Sequence, residues 1–153
     1  MNSSRRALAQ QPVTASYEAV GAVPGDARVV LYTCGFASPA AVSALSVLCD
    51  VAVREGWAVV GEAYDLAPLD TPRRRRIGWR SVERVLAGGW ATGLLAPAEQ
   101  EIAWYPGDRT AWRGWLLNMP AFAAYPTART VQGAAAGADP ATPGHPGTEG
   151  QQL

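Results

Sequence analysis

The chain has 153 residues, which is the length of one ordinary domain. Its thirteen basic residues, all of them arginine, balance thirteen acidic ones, which excludes a uniformly cationic nucleic-acid coat and an acidic solvating tail. Hydrophobic residues make up 48% of the sequence, enough for a packed core, so disorder throughout the chain is excluded as well.

The two ends of the chain differ in composition from its middle. Residues 1–26 are mostly small and polar, and residues 127–153 are rich in Ala, Gly, Pro and Thr. Such segments have too little bulky apolar surface to offset the entropy of the chain. The sequence therefore predicts a flexible N-terminal arm (1–26), one α/β domain (27–126) and a disordered tail (127–153). The single histidine, His145, lies in this tail and is expected to have no role.

Strand and helix patterns alternate between the two arms. Residues 28–33 form a short apolar run that is typical of a buried strand. Ser38 and Pro39 have the residue types of an N-cap and a first helical position, and Gly56 is expected to end the helix that they begin. A second strand is predicted over residues 57–64.

The second half of the domain repeats the alternation. A helix is predicted with Trp79, Val82 and Leu86 on one face, ending at Gly88-Gly89, and a third strand over residues 92–96. Asp108 is expected to cap a last helix, and a final strand is predicted over residues 121–125. This order predicts three layers, a mostly parallel sheet of four to five strands with helices on both faces.

The sequence also bears on cofactors and cellular compartment. Two cysteines and one histidine cannot form a four-ligand structural zinc site, and no glycine-rich nucleotide motif is present, so no metal and no cofactor are expected. A chain of this length does not need disulfides for its core. No apolar stretch approaches the roughly 20 residues of a spanning helix, and an export signal is not evident. These features predict a soluble, cytoplasmic protein without membrane partners.

Several short motifs occur in a fixed order along the domain: Val30-Leu31-Tyr32, Glu55-Gly56-Trp57, Tyr64-Asp65, Arg76-Ile77-Gly78-Trp79 and Gly88-Gly89. In this order and spacing they resemble the N-terminal catalytic domain of serine recombinases, the resolvase and invertase family, over about residues 28–125. The resemblance implies a resolvase-like fold and a relation to DNA recombination.

The chemistry of that family does not carry over. Its members attack a DNA phosphodiester with a serine, and several arginines stabilise the charge that develops on phosphorus. Counted from Tyr32, the family's first motif arginine falls on Cys34 and its nucleophilic serine on Phe36. The later arginine positions fall on Glu101 and Trp104. The retained family positions are Tyr32, Asp65 and Arg76. The resemblance therefore implies a degenerate member, a pseudoenzyme that has lost DNA strand cleavage and exchange.

An enzyme with altered chemistry in the same crevice is the alternative, with Cys34 or Ser38 as nucleophile beside Asp65. Helix capping explains Ser38 without chemistry. Cys34 has no neighbouring histidine to act as base, so a buried, inert thiol is favoured. Glu62 and Asp65 stand three apart on an extended segment and point to opposite faces, which weakens them as an acid–base pair.

Six of the thirteen arginines crowd into twelve residues: Arg73, Arg74, Arg75, Arg76, Arg80 and Arg84. On a helix, the spacing of the first, fourth, fifth and sixth of these places them in one stripe. Planar guanidinium groups suit phosphate-backbone contacts, so the stripe predicts DNA binding, with a solvated helix face as the alternative. The expected partners are DNA through the Arg73–Arg84 helix, a second copy of the chain, or another protein.

Overall fold

The structure is a computed structural model that describes residues 17–127. Its five-stranded sheet has the spatial order β1-β5-β4-β2-β3. The strands are β1 (Tyr17–Val20), β2 (Arg28–Gly35), β3 (Ala58–Leu66), β4 (Gly93–Leu95) and β5 (Phe122–Pro126). The strands β2, β3, β4 and β5 run parallel to one another, and β1 is antiparallel to β5. The helices are α1 (Ser38–Glu55), α2 (Ile77–Ala87) and α3 (Pro106–Asn118).

Strand β2 lies between β4 and β3 and is buried on both faces, which explains its continuous apolar run. Val29 and Leu31 belong to the core on the side of α1, whereas Val30 and Tyr32 belong to the core on the side of α2 and α3. Helices therefore cover both faces of the sheet, and the predicted α/β architecture is confirmed. The buried face of α2 consists of the three residues that the sequence assigned to it.

Strand β1 lies inside the segment that the sequence predicted to be a flexible arm, so that prediction is wrong for residues 17–20. Tyr17 pairs with Pro126 in the β1–β5 ladder, and its ring packs edge-on against Trp57 with 4.9 Å between the ring centroids. A four-residue edge strand has almost no periodicity of its own, and pairing with β5 supplies its stability. Residues 1–16 and 128–153, with His145, lie outside the described residues.

The observed ends of the helices agree only in part with those predicted from the sequence. Gly56 ends α1 with a left-handed φ of 74°, as predicted. The predicted cap at Ser38 is wrong, because the N-cap is Ala37, without a side-chain hydrogen bond, and Ser38 is the exposed first residue of α1. Asp108 does not cap α3 either, since the N-cap is Tyr105 and Asp108 pairs with Arg73 at 2.8 Å.

Across residues 17–127, none of the helices has the length and apolar character needed to cross a membrane.

Candidate functional site

Tyr32, Asp65 and Arg76 meet in one hydrogen-bonded network near the carboxyl ends of β2 and β3. The hydroxyl of Tyr32 donates to Asp65 Oδ2 at 2.9 Å and accepts a hydrogen bond from Arg76 Nη1 at 3.3 Å. The carboxylate of Asp65 also accepts the backbone N–H groups of Gly78 at 2.9 Å and Trp79 at 2.8 Å. Asp65 thereby stabilises the N-terminus of α2, where the helix dipole favours a negative charge.

Arg76 is buried, with only 2% of its surface exposed. Its Nε donates to the carbonyl of Thr71 at 2.9 Å and its Nη2 to the carbonyl of Leu69 at 2.8 Å. Its Nη1 also donates to the carbonyl of Glu101. Because protein acceptors occupy the guanidinium group, Arg76 cannot lie on an exposed stripe, and its predicted place in the nucleic-acid contact is wrong. Its backbone is extended (φ −92°, ψ 115°), so the helical spacing did not apply.

The phenol of Tyr32 stays protonated in this network. Burial raises the pKa of Tyr32 above its ordinary value of 10.0, and the neighbouring Arg76 only partly opposes this effect. The hydroxyl is therefore available as a donor to Asp65 over the whole physiological range.

Phe36, Glu101 and Trp104, to which the sequence resemblance assigns the family's nucleophile and later arginines, lie near the carboxyl end of β2 or are exposed. Phe36, at the end of β2, is 77% exposed and offers no nucleophile. Glu101 Oε1 accepts a hydrogen bond from Thr33 Oγ1 at 2.8 Å and from the backbone N–H of Cys34 at 2.9 Å. A carboxylate thus lies against the end of β2 and would repel a phosphate there. Trp104, at the other substituted position, is exposed.

The carboxyl group of Glu101 also makes the stability of the fold depend on pH. Burial raises the pKa of its carboxyl above the ordinary 4.5, although the hydrogen bonds from Cys34 and Thr33 lower it in part. A raised carboxyl pKa favours the protonated form in the folded state. The resulting stability is fully present below pH 4.5 and is lost as the pH rises through the raised value.

Glu101→Gln should therefore gain stability relative to the wild type as the pH rises. Glutamine keeps an acceptor oxygen for the Cys34 amide but cannot ionise. The difference in the free energy of unfolding should grow by about 1.4 kcal/mol for each unit by which the pKa is raised, and then level off. Urea denaturation from pH 4 upward measures it, with the exposed Glu62→Gln as control. A difference that is independent of pH would contradict this account.

The contacts of Cys34 and Asp65 do not favour a thiol nucleophile with this carboxylate as its base, and Ser38 is the exposed first residue of α1. Cys34 is 4% exposed, and its Sγ lies 3.6 Å from the carbonyl of Ala67. Burial raises the pKa of this thiol, which disfavours the reactive thiolate. The carboxylate of Asp65 already accepts three hydrogen bonds. These contacts speak against the alternative of an enzyme with altered chemistry.

The arginines of residues 73–84 divide into two groups. Arg73 is turned inward, where it pairs with Asp108, donates to the carbonyl of Ile102 at 3.2 Å and lies 5.9 Å from the ring centre of Trp112. Four side chains are exposed and form what we call the basic surface: Arg74, Arg75, Arg80 and Arg84. Arg80 Nη2 donates to the carbonyl of Arg74 at 2.8 Å, which joins the turn at 73–75 to the outer face of α2.

Sequence reasoning missed the role of Gly78. A Cβ at this position would lie far inside contact distance of the carbonyl oxygen of Tyr64, and 2.9 Å from Asp65 Oδ2. The glycine therefore lets α2 approach the end of β3 closely enough for Asp65 to accept its first amides. A glycine next to a helix start, inside the Arg76–Trp79 motif, was the available signal.

Comparisons with known proteins support the fold. No protein-family profile matches the chain, and no match is found among curated proteins. The structure is similar to the crystal structure of the C-terminal catalytic domain of ISC1926 TnpA, an IS607-like serine recombinase, with a TM-score of 0.57 and 16% identity. The similarity covers 71% of this chain and 78% of that one. At this level of identity, the likeness shows that the chain has the fold of a serine recombinase catalytic domain.

Proposed function

We propose that this chain is a degenerate serine recombinase domain that has lost strand cleavage and exchange and associates with DNA. The loss of cleavage is supported by the carboxyl edge of the sheet. Phe36 stands at the nucleophile's position, and the carboxylate of Glu101 lies beside it on the Cys34 amide. Arg76, the retained arginine, donates its hydrogen bonds to carbonyl groups of the protein and does not offer them to a phosphate.

The observation that carries the DNA association is the basic surface. Its four arginines are exposed on the turn at 73–75 and on α2, and within residues 17–127 none of them forms an ion pair with a carboxylate. Exposed arginines without a carboxylate partner suit phosphate oxygens, because their charge is not neutralised by the protein. Arg80 already donates from Nε and Nη2 to the carbonyl of Arg74, which leaves its Nη1 for such a contact. The surface offers the positioning contacts of a DNA-associated domain and no base-reading groups, so the binding is expected to be independent of sequence.

Replacing all four arginines of the basic surface by alanine should abolish most of this binding. Each arginine that contacts a phosphate contributes about −0.9 to the slope of log K against log salt. The quadruple variant should therefore flatten that slope by about 3 to 4 units relative to the wild type. Fluorescence anisotropy with a labelled duplex of random sequence, measured at several salt concentrations, gives both slopes.

Arg54→Ala, which removes an arginine from the last turn of α1, is the control and should leave the slope unchanged. Absence of duplex binding by the wild type at low salt would rule out the DNA association. Equal slopes for the wild type and the quadruple variant would rule out the basic surface as the site of binding.

A protein-binding or oligomerisation module is the second candidate, and one observation favours it. Phe36, Leu66 and Ile77 are large, exposed apolar residues that lie near one another, because Gly35 pairs with Leu66 and Asp65 binds the amide of Gly78. Apolar side chains gathered at one corner are typical of protein contacts. Sedimentation equilibrium distinguishes self-association from binding of a different protein.

A further inference from the structure

A cleft of about 440 Å³ lies where α2 ends and β2 begins, away from the carboxyl edge of the sheet. It is lined by Arg28, Val60, Arg84, Val85 and Trp90. Two arginines and no carboxylate contribute to its walls, so the cleft is positively charged. A second cleft, beside Trp104, differs in this respect, because its three arginines face three carboxylates, those of Asp70, Glu83 and Asp108.

Trp90 is exposed and yet held in place. The side chain is 72% exposed, whereas its backbone N–H donates to the carbonyl of Val85 at 3.1 Å in the turn that ends α2. The indole rests against Gly88, since a Cβ there would lie 2.8 Å from Cδ1 and 3.1 Å from Nε1 of the ring. An indole that packs on Gly88 with one edge and leaves most of the residue open to solvent is a suitable stacking platform for a planar group.

The charges beside Trp90 continue the basic surface. Arg84 belongs to both, and it lies one helical turn beyond Arg80 on the outer face of α2. Arg28 Nη2 donates to the carbonyl of Gly89 at 3.2 Å, which holds this guanidinium next to the turn that carries Trp90. An anionic backbone that follows Arg74, Arg80 and Arg84 would therefore reach the indole at the end of α2.

We propose that this cleft binds an unpaired base of single-stranded DNA, with the base stacked on Trp90 and the adjoining phosphates on Arg84 and Arg28. A base inside a duplex is covered by its neighbours and cannot offer its face to an indole, whereas every unpaired base can. The inference rests on the proposed DNA association, because it shares Arg84 with the basic surface, and it adds a preference for the single strand.

The test compares an oligothymidine of 20 nucleotides with a 20-base-pair duplex, by anisotropy at low salt. Trp90→Ala should weaken oligothymidine binding roughly 5- to 150-fold, the range for one lost stacking contact, and leave duplex affinity within about twofold. Trp104→Ala, which removes an exposed indole from the cleft whose arginines and carboxylates are equal in number, is the matched control and should change neither affinity.

Gly88→Ala tests the position of the ring without removing any group. The backbone angles of Gly88 (φ −77°, ψ −6°) are open to alanine. The added Cβ would lie 3.1 Å from the carbonyl oxygen of Arg84 and must displace the indole, 2.8 Å away. This variant should also weaken oligothymidine binding, with duplex binding retained. Quenching of tryptophan fluorescence by oligothymidine should fall in both Trp90→Ala and Gly88→Ala.

Oligothymidine affinity that is equal in the wild type and Trp90→Ala, or that falls as much in Trp104→Ala, would overturn the inference. If the duplex still binds through the four arginines in that case, the proposed function stands without the cleft. If neither probe binds the wild type, the proposed function fails and the cleft proposal fails with it.

Discussion

Arg76→Ala should lower the free energy of unfolding by about 3–5 kcal/mol, as expected when one partner of a buried charged network is removed. The carbonyl groups of Leu69, Thr71 and Glu101 would each lose a charged donor inside the protein. The loop before α2 would then lose its attachment to the turn at Glu99–Glu101. Urea denaturation followed by circular dichroism measures the change.

Arg75→Ala is the matched control for this substitution. Arg75 is the neighbouring arginine but its side chain is exposed, so its removal should change stability by no more than about 0.5 kcal/mol. If Arg76→Ala does not fold at all, Arg76→Lys, which keeps the charge but not the several donors, should fold with an intermediate loss. A loss below about 1 kcal/mol for Arg76→Ala would show that the buried network does not hold this part of the fold.

Gly78→Ala should destabilise the protein by about 1–3 kcal/mol or more, the usual cost of forcing atoms into a packed site. The added Cβ would meet the backbone of Tyr64, with the carbonyl carbon only 2.8 Å away, and a strand backbone cannot rotate aside as a side chain can. The start of α2 would have to move away from β3, which would also lengthen the hydrogen bonds to Asp65. Thermal and urea denaturation both report this loss.

Gly114→Ala is the control with the opposite sign. Gly114 lies inside α3 with nothing within 4 Å of an added Cβ, so alanine should stabilise the protein by about 0.5–1 kcal/mol through helix propensity. Equal effects of the two substitutions would contradict the close approach at Gly78.

The motif at residues 76–79 thus has a structural reason for each of three residues. Arg76 satisfies carbonyl groups, Gly78 allows a close approach, and Trp79 fills the core beside Tyr32, with 5.1 Å between their ring centroids. The residues of this motif are therefore ones that the fold itself uses. The likeness to a solved recombinase domain likewise extends to the fold.

Sequence periodicity determined much of the architecture. The buried faces of β2 and α2, the end of α1 at Gly56 and the mostly parallel sheet follow from local patterns, because each depends on the spacing of apolar residues or on one glycine's backbone. Strand β1 could not be predicted from such local patterns. Its four residues become a strand only through the ladder with β5, which lies about a hundred positions away in the chain.

The sequence by itself also determined that a cluster of six arginines precedes and enters α2. Only the tertiary structure decided which of those arginines face solvent. A spacing rule treats residues 73–84 as one helix, whereas a 3₁₀ turn at Arg73–Arg75 and an extended residue at 76 come before α2. Arg76 turns inward because the carbonyl groups of Leu69 and Thr71, in the preceding loop, and of Glu101, from a later turn, converge on it. Burial of that kind is a property of the fold and not of the local pattern.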